Sequence, residues 1–374
     1  MIMAATAGIA VANVYYSQPI LHAIGEQFHI TAEKAGTISV LSQIGYGLGL
    51  FFLTPIGDMI ERKKLILYLQ IGLILSLVLV AFSPTLTILY TGSLLIGVFS
   101  VVAQVILPMA ASLVKENRGK IVGQIFTGIL VGILVARVYS GFITGWLGWH
   151  YVYLISAGMV LFTTILMQVD FPSTTERFTG TYGGLLKSTL NQLRRFPVLR
   201  RSALTGMLAF GTLSAFWVTL TFYLSDAPFR YTASHIGLFG LLAAAGALIA
   251  PVFGKLADNG NTRSSLLMTV GMIICSLILL KVFPLSVIVM VIAIFVLDIG
   301  VQATQITNFA KIYSLDENSH SRLNTIYMTT YFIGGGIGTF FGLLCWKHGG
   351  WELSTWQMLA WSFIALAITF FSKK

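Results

Sequence analysis

The chain has 374 residues, of which 56% are hydrophobic and 10% are charged, and its formal net charge is +10. A soluble domain carries about 25% charged residues, so this composition excludes a protein surrounded only by water. A membrane-spanning helix needs about 20 apolar residues, and the chain therefore has room for about a dozen spans. Its two cysteines, Cys275 and Cys345, lie in apolar runs, a pattern that indicates neither a disulfide framework nor a metal site.

Apolar runs separated by polar breaks predict twelve spans in chain order. The first run begins almost directly after Met1, with no signal-peptide pattern before it. The predicted spans are 3–23, 35–56, 65–83, 86–113, 121–145, 149–169, 203–224, 235–256, 264–282, 285–312, 324–346 and 353–371. Residues 170–202 form the only long loop, in which we predict a surface helix over about 184–196. This linker separates an N-terminal bundle at 1–169 from a C-terminal bundle at 203–374.

The distribution of charge orients the predicted spans. If both termini are cytoplasmic, eighteen of the 23 lysines and arginines fall on the cytoplasmic side and four on the outer side, and Arg137 lies within a span. Cytoplasmic loops of membrane proteins carry an excess of lysine and arginine. The positive net charge therefore indicates a lipid bilayer as the partner and not a nucleic acid.

Two short basic loops, each between two apolar runs, indicate an internal duplication. The first runs from Gly57 to Lys64 after span two, and the second runs from Gly254 to Arg263 after span eight. These are equivalent positions in the two halves, and many transporters are built from such repeats. The residues of interest in these loops are Asp58, Arg62, Lys63, Gly254, Asp258 and Arg263.

This arrangement resembles the major facilitator superfamily, which carries the pattern G-x-x-x-D-x-x-G-x-[RK]-[RK] after spans two and eight. The second loop has Gly254 and Asp258 at that spacing, whereas the first keeps Asp58 but has Thr54 and Glu61 in place of the glycines. The resemblance implies an all-α integral membrane protein of two six-helix bundles related by pseudo-two-fold symmetry, a monomer without a cofactor. It also implies that the loops act as a latch between conformational states.

Span five resembles one branch of that superfamily more narrowly. The stretch from Thr127 to Arg137 is similar to the glycine-rich fifth helix of bacterial twelve-helix drug:proton antiporters, although the usual Gly-Pro pair is absent. This resemblance implies a proton-coupled exporter in the bacterial inner membrane. The glycines of spans five and eleven have the spacing of closely packed helices. Gly334-Gly335-Gly336 lacks the Lys-Ser/Thr of a phosphate loop.

Arg137 in span five and Asp298 in span ten are the ionisable residues furthest from predicted helix ends. Charges at such depth are functional candidates by default because lipid does not solvate them. In the functional interpretation, deprotonated Asp298 pairs with Arg137 in one access state, and a proton on Asp298 favours the other state. A static ion pair, or two polar groups that each face water, would also explain them.

The superfamily resemblance implies that spans one, four, seven and ten line a central cavity. The candidate lining residues are Asn13, Tyr16, Gln18, Gln104, Trp217, Gln302 and Gln305. Amides and aromatic rings suit small amphipathic organic molecules. Hydrogen bonds between helices are an equal alternative for the amides, and ordinary packing is an alternative for the aromatics.

The sequence thus predicts a secondary active transporter that exports small amphipathic molecules, drugs or metabolites, against proton entry by alternating access. Uptake or facilitated passage of a small organic solute remains open, as does a membrane sensor without transport. No nucleophile–base set is visible, so we do not expect an enzyme. All six histidines fall at span ends or in loops, and no pair has helical metal-ligand spacing.

Overall fold

The computed structural model describes residues 1–113, 118–172, 180–242, 262–316 and 319–371. These residues are almost entirely helical and group into two compact units. Unit one contains Met1–Leu186 together with Tyr231–Gly240, and unit two contains Lys187–Arg230 and Leu241–Lys374. Gly254 and Asp258, with most of predicted span eight, lie outside the described residues.

Unit one is built from nine α-helices and two 3₁₀ turns within its described residues. The helices are α1 (Ile2–Ala12), α2 (Leu21–Phe28), α3 (Ala32–Phe52), α4 (Arg62–Ala81), α5 (Leu86–Phe99), α6 (Val102–Leu113), α7 (Arg118–Leu147), α8 (Trp149–Asp170) and, from later in the chain, α11 (Ala233–Leu238). The 3₁₀ turns are Gln18–Ile20 and Thr54–Asp58. Helix α7 packs against α1 and α11.

In unit two, the described helices are α9 (Tyr182–Arg195), which starts just before the unit, α10 (Pro197–Ser225), α12 (Thr262–Val282), α13 (Val287–Tyr313) and α14 (His320–Phe370). Helix α9 covers most of the stretch, 184–196, for which a helix was predicted in the linker. It carries Arg194 and Arg195 in its last turn, where cations interact favourably with the helix dipole.

Nine helical stretches within the described ranges are long and apolar enough to cross a membrane. The longest, α14, has two helical parts because Gly349 and Gly350 leave helical geometry, with φ of +58° at Gly350. An L-residue with a side chain rarely adopts that φ, whereas glycine does so readily. The break agrees with the predicted separation of spans eleven and twelve.

The first predicted span, 3–23, is not one continuous helix. Helix α1 ends at Ala12, and 3₁₀-type bonds follow, from Tyr15 N to Ala12 O at 3.0 Å and from Ile20 N to Ser17 O at 3.1 Å. Pro19 lacks an N–H and restricts the residue before it. Asn13 Nδ2 also donates to the Ile9 carbonyl at 2.8 Å, which competes with regular helix bonding.

Span four, predicted as 86–113, is also divided. Helix α5 ends at Phe99, and α6 starts at Val102 after a short turn. Ser100 Oγ donates back to the Ile96 carbonyl at 2.6 Å, a bond that satisfies a carbonyl at the end of α5. Hydropathy locates an apolar stretch but does not report where its backbone hydrogen bonds change. The interruptions inside predicted spans one and four were therefore not visible in the sequence pattern, although Leu86–Ala110 still forms one stretch long and apolar enough to cross a membrane.

Glycines bring helix backbones into contact within each unit. A Cβ placed on Gly132 of α7 would lie 2.6 Å from the Gly8 carbonyl carbon of α1, and one on Gly128 would lie 2.8 Å from the Ala4 carbonyl carbon. In unit two, a Cβ on Gly338 of α14 would lie 2.5 Å from Cα of Gly211 in α10. The predicted close approach of spans five and eleven to their neighbours is therefore confirmed.

Candidate functional site

Arg137 lies deep inside unit one, with 3% of its surface exposed. Its Nε donates to Gln18 Oε1 at 2.9 Å, and its guanidinium carbon lies 5.4 Å from the centre of the Tyr15 ring. A guanidinium within about 6 Å of an aromatic face is attracted to the ring electrons. The sequence between α1 and α2 therefore supplies an amide and an aromatic face to a buried cation.

The backbone of Arg137 is held where two helices approach closely. A Cβ on Gly237 of α11 would lie 2.6 Å from the Arg137 carbonyl oxygen, and one on Gly240 would lie 2.8 Å from Arg137 Cβ. One turn further along α7, the Gly141 carbonyl accepts a hydrogen bond from Ser234 Oγ of α11 at 3.2 Å. Dense packing of this kind limits the directions in which the arginine side chain can leave the unit.

Gln104, which is partly buried, contacts a second group of polar side chains in unit one. It hydrogen-bonds Tyr46 of α3, and Tyr15 lies close enough to Tyr46 to interact electrostatically. The sequence prediction included Gln104 but missed Tyr46. A tyrosine in the middle of an apolar span was the available signal, because a buried hydroxyl normally finds a hydrogen-bond partner.

Gln43, three residues before Tyr46 on α3, was also missed. It is buried, and neither end of its amide meets a hydrogen-bond partner among the described residues. Leaving a buried polar group unsatisfied costs about 1–3 kcal/mol. Such an amide is a candidate for contact with a polar solute or with water.

Asn13 and Tyr16 contact a different side of unit one. Ser156 Oγ of α8 donates to Asn13 Oδ1 at 2.7 Å, and Tyr16 also hydrogen-bonds Ser156. The Tyr16 ring centre lies 5.1 Å from that of Tyr139 on α7. Both ends of the Asn13 amide are therefore used within the unit, which is the interhelical role weighed as the alternative for this residue.

In unit two, the candidate polar residues form a stripe on α13. Asp298, Gln302 and Gln305 are spaced by four and three residues, so they share one helix face. The opposite face packs on α12, where Thr304 Oγ1 donates to Thr269 Oγ1 at 2.8 Å. Asp298 is 2% exposed. The stripe thus places a buried carboxyl and two amides in one row.

Two of the candidate residues of unit two, Trp217 and Gln305, contact an aromatic ring and a sulfur atom, respectively. Trp217 of α10 is buried, with its ring centre 5.8 Å from that of Phe216 in an edge-on arrangement. Gln305 Nε2 lies 3.6 Å from Met328 Sδ, a weak acceptor. Arg137 belongs to unit one and Asp298 to unit two.

Side chains of the basic loop of unit one contact the ends of neighbouring helices. Arg62 Nη2 lies 3.4 Å from Asp58 Oδ1, and Arg62 is buried. Lys63, the second residue of α4, donates its Nζ to the Phe171 carbonyl at the end of α8. A cation at a helix C-terminus interacts favourably with the helix dipole.

An equivalent contact occurs in unit two. Arg263, the second residue of α12, donates its Nη2 to the carbonyl of Phe370, the last residue of α14. Its guanidinium carbon lies 5.6 Å from the Phe370 ring centre. Lys63 and Arg263 occupy equivalent positions in the two loops, and each binds a carbonyl at the end of a long helix of its own unit, α8 or α14. The sequence pattern alone did not reveal this correspondence.

No group of three or more His, Cys, Asp or Glu side chains that could hold a metal ion occurs in the described ranges. The polar residues above lie within helix bundles, where several of them hydrogen-bond one another. Their amides, hydroxyls and rings can bind a polar or amphipathic solute, and Asp298 can bind a proton.

Comparisons with known proteins agree on one family. Residues 3–339 match the model of the Major Facilitator Superfamily. The chain is 37% identical over 352 residues to "Uncharacterized transporter YgaY" of Escherichia coli O157:H7, covering 94% of this chain and 89% of that protein. It is 23% identical to "Probable sugar efflux transporter" of Helicobacter pylori strain P12, covering 86% and 82% of the two chains.

A solved structure is similar over nearly the whole length. It is a bacterial homolog of the human lysosomal transporter Spinster, in an inward-facing and unoccupied conformation. The TM-score is 0.77 at 14% sequence identity, over 99% of this chain and 95% of that one. At that identity, the likeness establishes the fold.

Proposed function

Because the chain belongs to the major facilitator superfamily, we propose that it is a proton-coupled exporter of small organic molecules that works by alternating access. It is a transporter and a multi-pass membrane protein, and it is not an enzyme. Its substrate is a small molecule. We propose the coupling to protons, the outward direction of transport and the class of the substrate.

Buried Arg137, held by Gln18 and Tyr15, is the observation that carries the proposal. An arginine at the centre of a membrane helix costs about 2.5–3.5 kcal/mol on insertion scales. A chain that only needed stable packing would gain from an apolar residue there. Asp298 is the corresponding acid of unit two, buried on a polar helix face.

In the proposed cycle, Asp298 takes up a proton from the outer side and releases it to the cytoplasm, while substrate moves outward in the alternate step. We propose that protonation, which removes the negative charge of Asp298, shifts the balance between access states, and that the fixed positive charge of Arg137 contributes to that balance. Removing either charge should therefore uncouple transport from the proton gradient without abolishing substrate binding.

The substrate class follows from the side chains that are available. We propose Gln18, Gln104, Gln302 and Gln305 as hydrogen-bonding contacts and Trp217 as a stacking surface, and we add Gln43 on the basis of its unsatisfied amide. Asn13 and Tyr16 would support the site through Ser156. Amides also suit hydroxyl groups, and relatives in Helicobacter pylori are named as sugar efflux transporters. Neutral sugars therefore belong in the first panel of compounds.

The basic loops are proposed as the latch between access states. Asp58 is held by Arg62 at 3.4 Å, and Lys63 and Arg263 bind helix ends, so motion of those helices would alter these contacts. We propose Gly254 and Asp258 as the second half of the latch from their sequence pattern alone. The bundles are proposed at 1–169 and 203–374, joined by the linker at 170–202.

The excess of bases in the inner loops supports cytoplasmic termini and a place in the bacterial inner membrane. We propose a monomer, because the two repeats of one chain suffice to form a transport path.

Flux measurements in proteoliposomes test the proposal. An acidic lumen should drive accumulation of a labelled substrate from a panel of neutral sugars, amphipathic cations and organic anions, and an entrapped pH dye should report lumen alkalinisation. Collapse of the gradient with an ionophore and protein-free liposomes are the controls. Accumulation only under the opposite gradient would indicate import, and no flux with any compound would indicate a sensor.

A further inference from the structure

A basic pocket lies at one end of unit two, apart from the polar stripe on α13. It is a small, partly open depression lined by residues from α10, α12, α13 and the end of α14. Arg201, Arg263 and Lys311 all line it, and none of the described lining residues is acidic. Three cations around one pocket repel one another, so the arrangement is favourable when an anion is bound.

Polar atoms in the same pocket lack partners. Ser202 and Asn308 are buried, and neither Ser202 Oγ nor Asn308 Oδ1 meets a hydrogen-bond partner among the described residues. Arg263 Nε is also without an acceptor there. Buried polar groups are nearly always hydrogen-bonded, and three exceptions in one pocket point to a ligand.

The Asn308 amide can turn to serve an anion. Its Nδ2 lies 3.5 Å from Tyr327 Oη, and the two ends of an amide are nearly equivalent in shape. After a 180° flip, Tyr327 Oη donates to Oδ1, and Nδ2 faces the pocket as a donor. Ser202 Oγ and Arg263 Nε add two further donors.

We infer that this pocket binds a phosphate group. Phosphate offers several acceptor oxygens and a negative charge, and arginine matches its geometry. The group belongs either to an acidic phospholipid at the membrane surface or to a free phosphate anion. Basic pockets between membrane helices on the cytoplasmic side bind lipid head groups, and the excess of bases in the inner loops assigns this end of the unit to that side.

Binding to the purified, delipidated full chain tests the inference in two arms. In one arm, inorganic phosphate is titrated against sodium chloride at equal ionic strength, and the thermal unfolding midpoint is measured. In the other, native mass spectrometry counts retained phosphatidylglycerol against monogalactosyl diacylglycerol, which has no phosphate. The variants are Arg201→Gln and Lys311→Gln. Arg200→Gln is the matched control, because Arg200 is exposed and does not line the pocket.

Loss of one charge-assisted contact should weaken binding about tenfold in Arg201→Gln and Lys311→Gln, while Arg200→Gln should bind as the wild type does. Lys311→Arg keeps the positive charge and should retain binding. This result would show that the loss in Lys311→Gln comes from the missing charge and not from misfolding. Response to phosphatidylglycerol alone would identify the lipid, and response to inorganic phosphate would identify a free anion. Equal binding in all variants, or no binding of either probe to the wild type, would overturn the inference.

Discussion

Substitution of Gly132 by alanine should destabilise unit one through the contact between α7 and α1. The added Cβ would lie 2.6 Å from the Gly8 carbonyl carbon and 2.7 Å from Gly8 Cα. Both atoms are backbone, so neither can turn aside as a flexible side chain does. Overpacking of this kind costs about 1–3 kcal/mol, against which alanine gains about 0.5–1 kcal/mol over glycine in a helix.

Gly123→Ala on the same helix is the matched control. A Cβ at Gly123 would meet no heavy atom within 4 Å, so only the gain in helix propensity applies. Since that gain is common to both variants, their free energies of unfolding should differ by about 1–3 kcal/mol. Tryptophan fluorescence during unfolding in mixed detergent micelles measures the difference. A Gly132→Ala protein as stable as Gly123→Ala would refute the close packing of α1 and α7.

Three further substitutions test individual contacts by the same unfolding measurement. Lys63→Met should lower stability by about 0.3–1 kcal/mol through loss of the cation at the end of α8. Lys64→Met, which removes an exposed lysine paired with Glu61, should change stability little because the lysine is well solvated; equal effects would argue against the helix-end role. Ser156→Ala leaves Asn13 Oδ1 without its donor and should cost about 1–3 kcal/mol, and an unchanged protein would mean that the bond is not needed. Gln18→Leu removes a neutral amide acceptor from a buried arginine, and loss of a hydrogen bond to a charged group should cost about 1.5–3 kcal/mol; an unchanged free energy of unfolding would show that the arginine is solvated otherwise.

Much of the helix map could be predicted from hydropathy, because polar breaks mark where a chain leaves the membrane. Predicted spans 121–145 and 149–169 correspond to Arg118–Leu147 and Trp149–Asp170. The same signal carries no information on Asn13 and Ser100, where the backbone changes its hydrogen bonding inside an apolar run. Pro19 was the sequence signal for the first of these breaks.

The site was less accessible to sequence reasoning, because direction around a helix decides what a polar residue contacts. Asn13 and Gln18 were both predicted to line the cavity, yet Asn13 bonds Ser156 and Gln18 bonds Arg137. Tyr46 and Gln43 lie on a helix that the resemblance did not assign to the cavity, so they were missed. The correspondence of Lys63 and Arg263 required the positions of the last helices.

Transport by Asp298→Asn tests the central claim, proton coupling through the buried carboxyl, most directly. Asparagine keeps the shape of aspartate but cannot exchange a proton. Asp226→Asn, in the loop after α10, is the control. In proteoliposomes, Asp298→Asn should retain exchange of labelled for unlabelled substrate while losing accumulation driven by the proton gradient. Gradient-driven accumulation equal to that of wild type and Asp226→Asn would contradict the account.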